Sequence, residues 1–360
     1  MGRYSHSDGG YLDSVSDDEM CAKVAWVWPP GPYKKSFWLE EKRDSMQYTI
    51  EEVAKEHDVL LLAPVCEKPQ RIGWKHFYIN AREALAALRK FDPDVINLNL
   101  FGHPLNRRIA IEFTKSLITV YDHGGNLFCP YSKYVDVLFT NQEFRRKIII
   151  QKNNISPEKV VLNPHGANTK LFYPDDNVEK TYTGIMVGDF RRGKQQHLII
   201  ENWNEVEGKL LLVGRTAPPL GEPDYTEECR VLIERLGLSE RVEIKDFVPH
   251  DELPRIINSA EIGIHTSRGG AGGRSVTEIM TCGLPMIVLK NKCNEEWAKA
   301  GGLKEVDPNA IGVAVNYLKN NPAKYKELRE TALRIIKPYS YDGMLSTFKK
   351  VIKSSETLID

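Results

Sequence analysis

The residues best suited to chemistry lie in one stretch, Ser267-Arg-Gly-Gly-Ala-Gly-Gly-Arg-Ser-Val-Thr-Glu278-Ile-Met-Thr-Cys-Gly283-Leu-Pro285. An apolar strand expected at 262–265 runs into a loop carrying Gly269, Gly270, Gly272 and Gly273. A helix is expected to start between Gly273 and Ser275. It should stop at Cys282-Gly283, with Gly283 as its cap and Pro285 beyond. Glycines let backbone approach a ligand closely. A helix N-terminus adds unpaired N–H groups and partial positive charge, so loop and helix together suit a diphosphate. Arg268 and Arg274 flank that point. Glu278 stands one turn inside the helix, where a carboxylate can accept hydrogen bonds from two ribose hydroxyls. The competing reading is a Gly-rich surface loop before an ordinary helix, because such loops alone are weak signals.

A second basic group follows another strand end. In Val187-Gly-Asp-Phe-Arg-Arg-Gly-Lys194, the cations Arg191, Arg192 and Lys194 come directly after a strand expected at 183–188. Parallel sheets bind ligands at such ends, and Lys or Arg there suits phosphate. The alternative is a solvated basic turn.

These groups need a scaffold, and the apolar pattern supplies one. Strands are expected at 23–28, 59–63, 93–98, 116–121, 135–139 and 159–162, with helices at 45–56 and 81–91. The rhythm restarts with strands at 183–188, 209–214, 242–244, 262–265 and 286–289. Repeated helix and strand is the mark of a parallel α/β sheet. A turn-rich break near 164–180 separates the halves, and an amphipathic helix closes the chain at 341–354. At 360 residues two domains are expected.

Composition removes several classes. Lys plus Arg number 49 and Asp plus Glu number 49, a balance that argues against a nucleic-acid binder. Six scattered cysteines form no CxxC pair, so free thiols are expected, with neither a disulfide framework nor a structural zinc site. No apolar run is long enough to span a bilayer. Residues 1–20 lack the apolar core of a signal peptide and are expected to be a disordered tail. The location expected is cytoplasmic. Short basic runs at 34–35, 107–108 and 145–147 leave peripheral membrane contact open. A dehydrogenase is disfavoured, since Pro29-Pro-Gly31-Pro follows the first strand instead of a GxGxxG turn.

Residues 163–290 resemble the family 4 retaining glycosyltransferases. The resemblance rests on Asn163-Pro-His-Gly-Ala-Asn-Thr-Lys-Leu-Phe-Tyr-Pro174, on Val187 to Lys194, and on Leu212-Val-Gly214. It extends through Arg241-Val-Glu-Ile-Lys-Asp-Phe-Val-Pro-His-Asp-Glu-Leu253, Ser259-Ala-Glu-Ile-Gly-Ile-His-Thr-Ser267 and Thr277-Glu-Ile-Met-Thr-Cys-Gly-Leu-Pro285. It implies a GT-B fold, two Rossmann-like domains around a cleft. The N-terminal one (21–165) would take the acceptor and the C-terminal one (175–338) the nucleotide diphosphate-sugar. The last helix (339–360) would return to the N-terminal domain. It also implies sugar transfer with retention, no essential metal or other cofactor, and a glycan, lipid-linked or small-molecule acceptor. The donor set it implies is Arg191, Arg192, Lys194, Val248, Gly272, Gly273, Arg274, Ser275 and Glu278. His123, in Tyr121-Asp122-His123, would take the place of the family's catalytic His; the other reading is a loop histidine with no role. His103 is a second candidate, and His165 is expected to cap or pack. Gly31 falls where the family has its acceptor-side glycine loop. Two departures stand out. Gly270 replaces the first Glu of the family pattern, which contacts the donor sugar. Asp189 replaces the phosphate-loop Arg. A non-catalytic nucleotide-sugar binder and a sugar-nucleotide epimerase of this fold are the alternatives.

Overall fold

The computed structural model describes residues 21–29, 45–65, 70–78, 80–123, 127–216, 224–269, 273–292 and 294–356. The expected tail at 1–20, Gly31, Gly270 and Gly272 lie outside the described residues.

The N-terminal half contains β1 (Lys23–Val27), α1 (Ser45–Val53), β2 (Asp58–Pro64), β3 (Gln70–Ile72), β4 (Lys75–Tyr78), α2 (Ala81–Phe91), β5 (Val95–Asn99), α3 (Pro104–Glu112), β6 (Leu117–Tyr121), β7 (Val137–Thr140), α4 (Glu143–Asn153) and β8 (Val160–Leu162). Its sheet runs β3-β4-β2-β1-β5-β6-β7-β8, parallel except for β3. Strands β5 and β6 are buried along their whole length, as expected of parallel strands covered on both faces. The surrounding helices follow from local chemistry. In α2, Asn80 caps the start by accepting from the Arg82 and Glu83 amides, and Ala84, Leu85 and Leu88 line the buried face.

The C-terminal half contains β9 (Tyr182–Val187), α5 (Gln196–Asn202), β10 (Leu210–Val213), α6 (Tyr225–Arg235), β11 (Val242–Lys245), α7 (Leu253–Asn258), β12 (Ala260–His265), α8 (Arg274–Thr281), β13 (Met286–Leu289), α9 (Glu295–Lys299), β14 (Leu303–Val306), α10 (Ile311–Lys319), α11 (Pro322–Ile336) and α12 (Tyr341–Glu356). All strands are parallel, in the order β11-β10-β9-β12-β13-β14. That is the doubly wound Rossmann order.

Two segments join the halves, and they touch. The Ala167 amide donates to the Tyr339 carbonyl (3.0 Å), and the Tyr341 amide donates to the Ala167 carbonyl (3.1 Å). Gly166 faces the Ser340 backbone so closely that a Cβ has no room. From this crossing, α12 runs back onto the first sheet. Phe348 stacks on Trp26 at 4.9 Å and on Phe139 at 5.7 Å, in a core shared with Met344, Val351 and Ile352. Tyr48 donates to Asp342 (2.6 Å), tying α1 to α12.

Some expectations missed. The β3–β4 hairpin turns at Gly73 (φ 58°) within a polar, weakly periodic segment. Strand β14 reads Leu-Lys-Glu-Val and is too short and charged to signal itself. The strand expected at 135–139 begins only at Val137, because Asp136 turns to accept from the Ile118 amide (2.8 Å). Among the described residues, Cys129, Cys229 and Cys282 are buried free thiols, and Cys21 is exposed. Burial pushes the Cys129 thiol up to about 11, and those of Cys229 and Cys282 up to about 12. No helix among the described residues is long and apolar enough to cross a membrane.

Phe348→Ala empties the contact that seats α12 on the first sheet. It is expected to cost about 3–5 kcal/mol, read as loss of amide-exchange protection in β1 and β7. Unchanged protection there would mean that α12 is not part of this core.

Candidate functional site

Ligands of doubly wound sheets sit beyond the carboxyl ends of the strands, where strand order reverses. In the second sheet that point lies between β9 and β12, and in the first between β1 and β5. Both sets of chemical residues gather at these ends.

On the C-terminal side, α8 begins at Arg274 with Gly273 as its N-cap, and the chain turns at Gly283 (φ 78°) after its last turn. Gly273 has no side chain to cap that start, and its carbonyl accepts from the Val276 amide (3.1 Å). Ser275 lies in the first turn. Glu278 is only 5% exposed, and His250 Nε2 lies 2.9 Å from its Oε1. His250 in turn rests on Phe172, at 5.1 Å between ring centroids.

The basic loop after β9 is sewn to the glycine loop after β12. Gln196 Nε2 donates to the Gly188 and Asp189 carbonyls (3.3 and 3.1 Å). Thr266 Oγ1 donates to the Lys194 and Gln195 carbonyls (2.7 and 3.1 Å), and the Arg268 amide donates to the Gly193 carbonyl (3.0 Å). The aliphatic stem of Lys194 passes over Gly188. Desolvation lowers its pKa, Asp189 opposes that, and Arg191 adds to it. Asp189 pairs with Arg191 (3.2 Å) and with Arg215 (3.1 Å). The residue that departs from the family's Arg thus gathers two arginines beside Lys194. Arg192 does not join them. It pairs with Glu228 of α6 (2.5 Å) and lies over Tyr225, lining a 270 Å³ groove with His197 and Cys229. A carboxylate on a neighbouring helix thus holds Arg192 apart from the Asp189 cluster. Val248 is half-buried and packs against the core under α8, next to exposed Phe247.

On the N-terminal side, His123 stands just beyond β6. Its Nε2 lies 2.7 Å from Asn99 Oδ1 at the tip of β5. Its ring meets Tyr121 (4.9 Å), Trp28 (6.0 Å) and, stacked, His165 (5.4 Å). Asp122 faces away into the sheet edge. It is 2% exposed and takes a two-point ion pair from Arg145 (2.6 and 2.8 Å) plus the Thr140 hydroxyl (3.0 Å). Only the histidine of this pair reaches the cleft. His103 is a helix cap, accepting from the Leu105 amide (3.1 Å), and leaves the catalytic candidates. His165 packs between Tyr121 and His123, 3.0 Å from Ser45 Oγ. Its pKa is held well below the ordinary value of 6.5 by desolvation, then by His123 and by Arg274. The charge at the start of α8 is therefore felt at His165.

Residues 170–334 match the family model of the glycosyl transferases group 1. That region is similar to this family along most of the second sheet and its helices. The chain is 26% identical over 269 residues to a probable sucrose-phosphate synthase of Thermosipho melanesiensis, covering 70% of this chain and 57% of that protein. The chain thus spans little more than half of that relative. Among solved structures, a glycosyltransferase from Rickettsia africae superposes with a TM-score of 0.75 at 14% identity, covering 93% of this chain and 98% of the other. Anabaena HepE in complex with UDP superposes with a TM-score of 0.73 at 15% identity, covering 92% and 100%. The fold is GT-B: two Rossmann-like domains facing one another.

Around these strand ends, three residues were not anticipated: Arg215, His250 and Asn99. Arg215 and His250 follow strand ends, a positional signal that their neighbours in sequence did not sharpen. Asn99 announced itself only as a polar residue in an apolar strand.

His165 makes the fold acid-sensitive. Its folded pKa lies below 6.5, so the unfolded chain binds the proton first. Its contribution is intact above 6.5 and fades as pH falls toward the folded value. His165→Gln is expected to flatten the acid limb of unfolding free energy by up to about 1.4 kcal/mol per pH unit. Denaturant titrations from about pH 7 to about pH 5 measure this; an unchanged slope would assign the acid limb to other groups.

Proposed function

We propose that this protein transfers a sugar from a nucleoside diphosphate-sugar to an acceptor hydroxyl. One observation carries the reading. Lys194, the glycine-led start of α8 and Glu278 all meet at the β9/β12 switch point, in the region that matches the group 1 glycosyl transferases. The diphosphate lies against Lys194, Arg191, Arg215 and the α8 amides, and the ribose against Glu278. Val248 and its strand end border the base. Binding of UDP by the similarly folded HepE supports this placement.

In the reaction the bond between the anomeric carbon and the leaving phosphate oxygen breaks. The acceptor oxygen bonds to that carbon, and its proton leaves with the diphosphate. Charge develops on the leaving phosphate, where preorganised cations and amides act most strongly. These groups serve in place of a metal ion. His123 stands on the facing domain, where it hydrogen-bonds the transferred sugar; closure of the cleft brings it to the donor. Retention is what the resemblance implies. The acceptor binds on the N-terminal side, near Trp28, Asn99 and His123.

Nucleoside diphosphates test the site directly. A ligand at about 100 times its Kd adds about 2.7 kcal/mol of stability, visible as a thermal shift. Glu278→Gln should weaken that shift. Lys194→Ala should cut kcat about 100- to 1,000-fold with the identified donor, as removal of one oxyanion donor does. Absence of a shift with every nucleoside diphosphate would overturn the donor site. Full turnover by Lys194→Ala would remove the lysine from it.

A further inference from the structure

Strand β5 is a central strand with two fully buried asparagines, Asn97 and Asn99. Burying an amide without partners is costly, so each must be satisfied. The sheet register shows how. Asn97 lies opposite Thr119 and Asn99 opposite Tyr121 on β6. Asn97 Nδ2 donates to Thr119 Oγ1 (2.8 Å), and Asn99 Nδ2 donates to the Val27 carbonyl on β1 (3.1 Å) and toward Asn97 Oδ1 (3.5 Å). The remaining face of Asn99, its Oδ1, lies 2.7 Å from His123 Nε2.

The direction of this chain is fixed at one end. A backbone carbonyl only accepts, so the atom of Asn99 facing Val27 must be the amide nitrogen. Its oxygen therefore faces His123, and an amide oxygen only accepts. The proton between them belongs to His123 Nε2. In the neutral ring the lone pair is then on Nδ1. A second anchor holds the tip of β5 itself: Asn106 Nδ2 donates to the carbonyls of Asn99 and Leu100, both at 2.7 Å. Leu100 is held there at φ 68°, a conformation that a bulky residue adopts only when its surroundings impose it.

We propose that Asn99 is a positioning residue that locks His123 in its Nε2–H form, leaving Nδ1 as the ring's acceptor for a hydroxyl of the transferred sugar. The tautomer rests on the hydrogen bonding alone; what Nδ1 meets rests on the transferase reading above. A sugar hydroxyl donates to this ring and does not accept from it while the ring is neutral. The charged and titratable groups around the ring agree. His165 stacks on it from the linker, Tyr121 packs on it from β6, and Arg274 bears on His165 from α8. Asp122 next in sequence is paired with Arg145 and turned away from the ring.

Nitrogen-15 NMR of the full chain with labelled histidine reads the tautomer, with His123→Gln identifying the signals. The expected result is a neutral His123 protonated at Nε2; protonation at Nδ1 would overturn the proposal. In the near-isosteric Asn99→Leu, the tautomers should mix. With an identified donor, kcat should fall about tenfold, the worth of one hydrogen bond, with donor KM unchanged. An unchanged tautomer in Asn99→Leu would also overturn it. Retained thermal stabilisation by nucleoside diphosphate shows that this variant is folded. If no donor is ever turned over, the transferase reading fails, and the tautomer measurement still decides the role of Asn99.

Discussion

Everything in the cleft depends on where two linkers cross. At Gly166-Ala167 and Tyr339-Ser340-Tyr341 the outgoing and returning chains share two backbone hydrogen bonds and a contact too close for a side chain. That contact fixes which ends of the two sheets face one another. His165 is one residue from it, and Phe172, which supports His250, is a few residues beyond. The same crossing therefore sets the histidine pair on one wall and the Glu278 carboxylate on the other. Helix α12 completes the tie by giving the first sheet part of its core from the far end of the chain.

Within that frame the wall built on the second sheet is organised by exchange of charge partners. Asp189 places a negative charge where a cation is expected, yet its two arginine partners leave the neighbourhood positive. Glu278 is likewise not bare, since His250 sits on it. A buried carboxylate without a partner is costly. The histidine supplies a hydrogen bond from a side chain that is itself partly exposed, so the buried carboxylate stays satisfied.

Much of this architecture was legible in the chain. Helix α2 and strand β13 fall where periodicity places them, because Ala84, Leu85 and Leu88 and the run Met-Ile-Val-Leu speak through local pattern alone. The start of α8 at Gly273-Arg274 and its stop at Gly283 follow from capping rules. Partnerships were not legible. Arg192 and Lys194 look equivalent in sequence, and only the packing of α6 gives Arg192 to Glu228. Asn99 and His123 are 24 positions apart and meet through strand register, which no local window contains. That Asp122, next to His123 in sequence, is taken up by Arg145 of α4 is likewise visible only in the fold.

The cysteines carry a practical consequence. Thiolate is the reactive form of a thiol, and Cys129, Cys229 and Cys282 are buried with their protons held to about 11 or 12. Of the described cysteines, Cys21 alone is open to solvent, one residue before the buried Ala22 and two before β1. Among these four sulfurs an alkylating dye is therefore expected to react with Cys21 in the folded chain. Placed at Cys21, the label marks the amino end of β1, the end of the strand opposite the cleft, where a reporter leaves the ligand site clear.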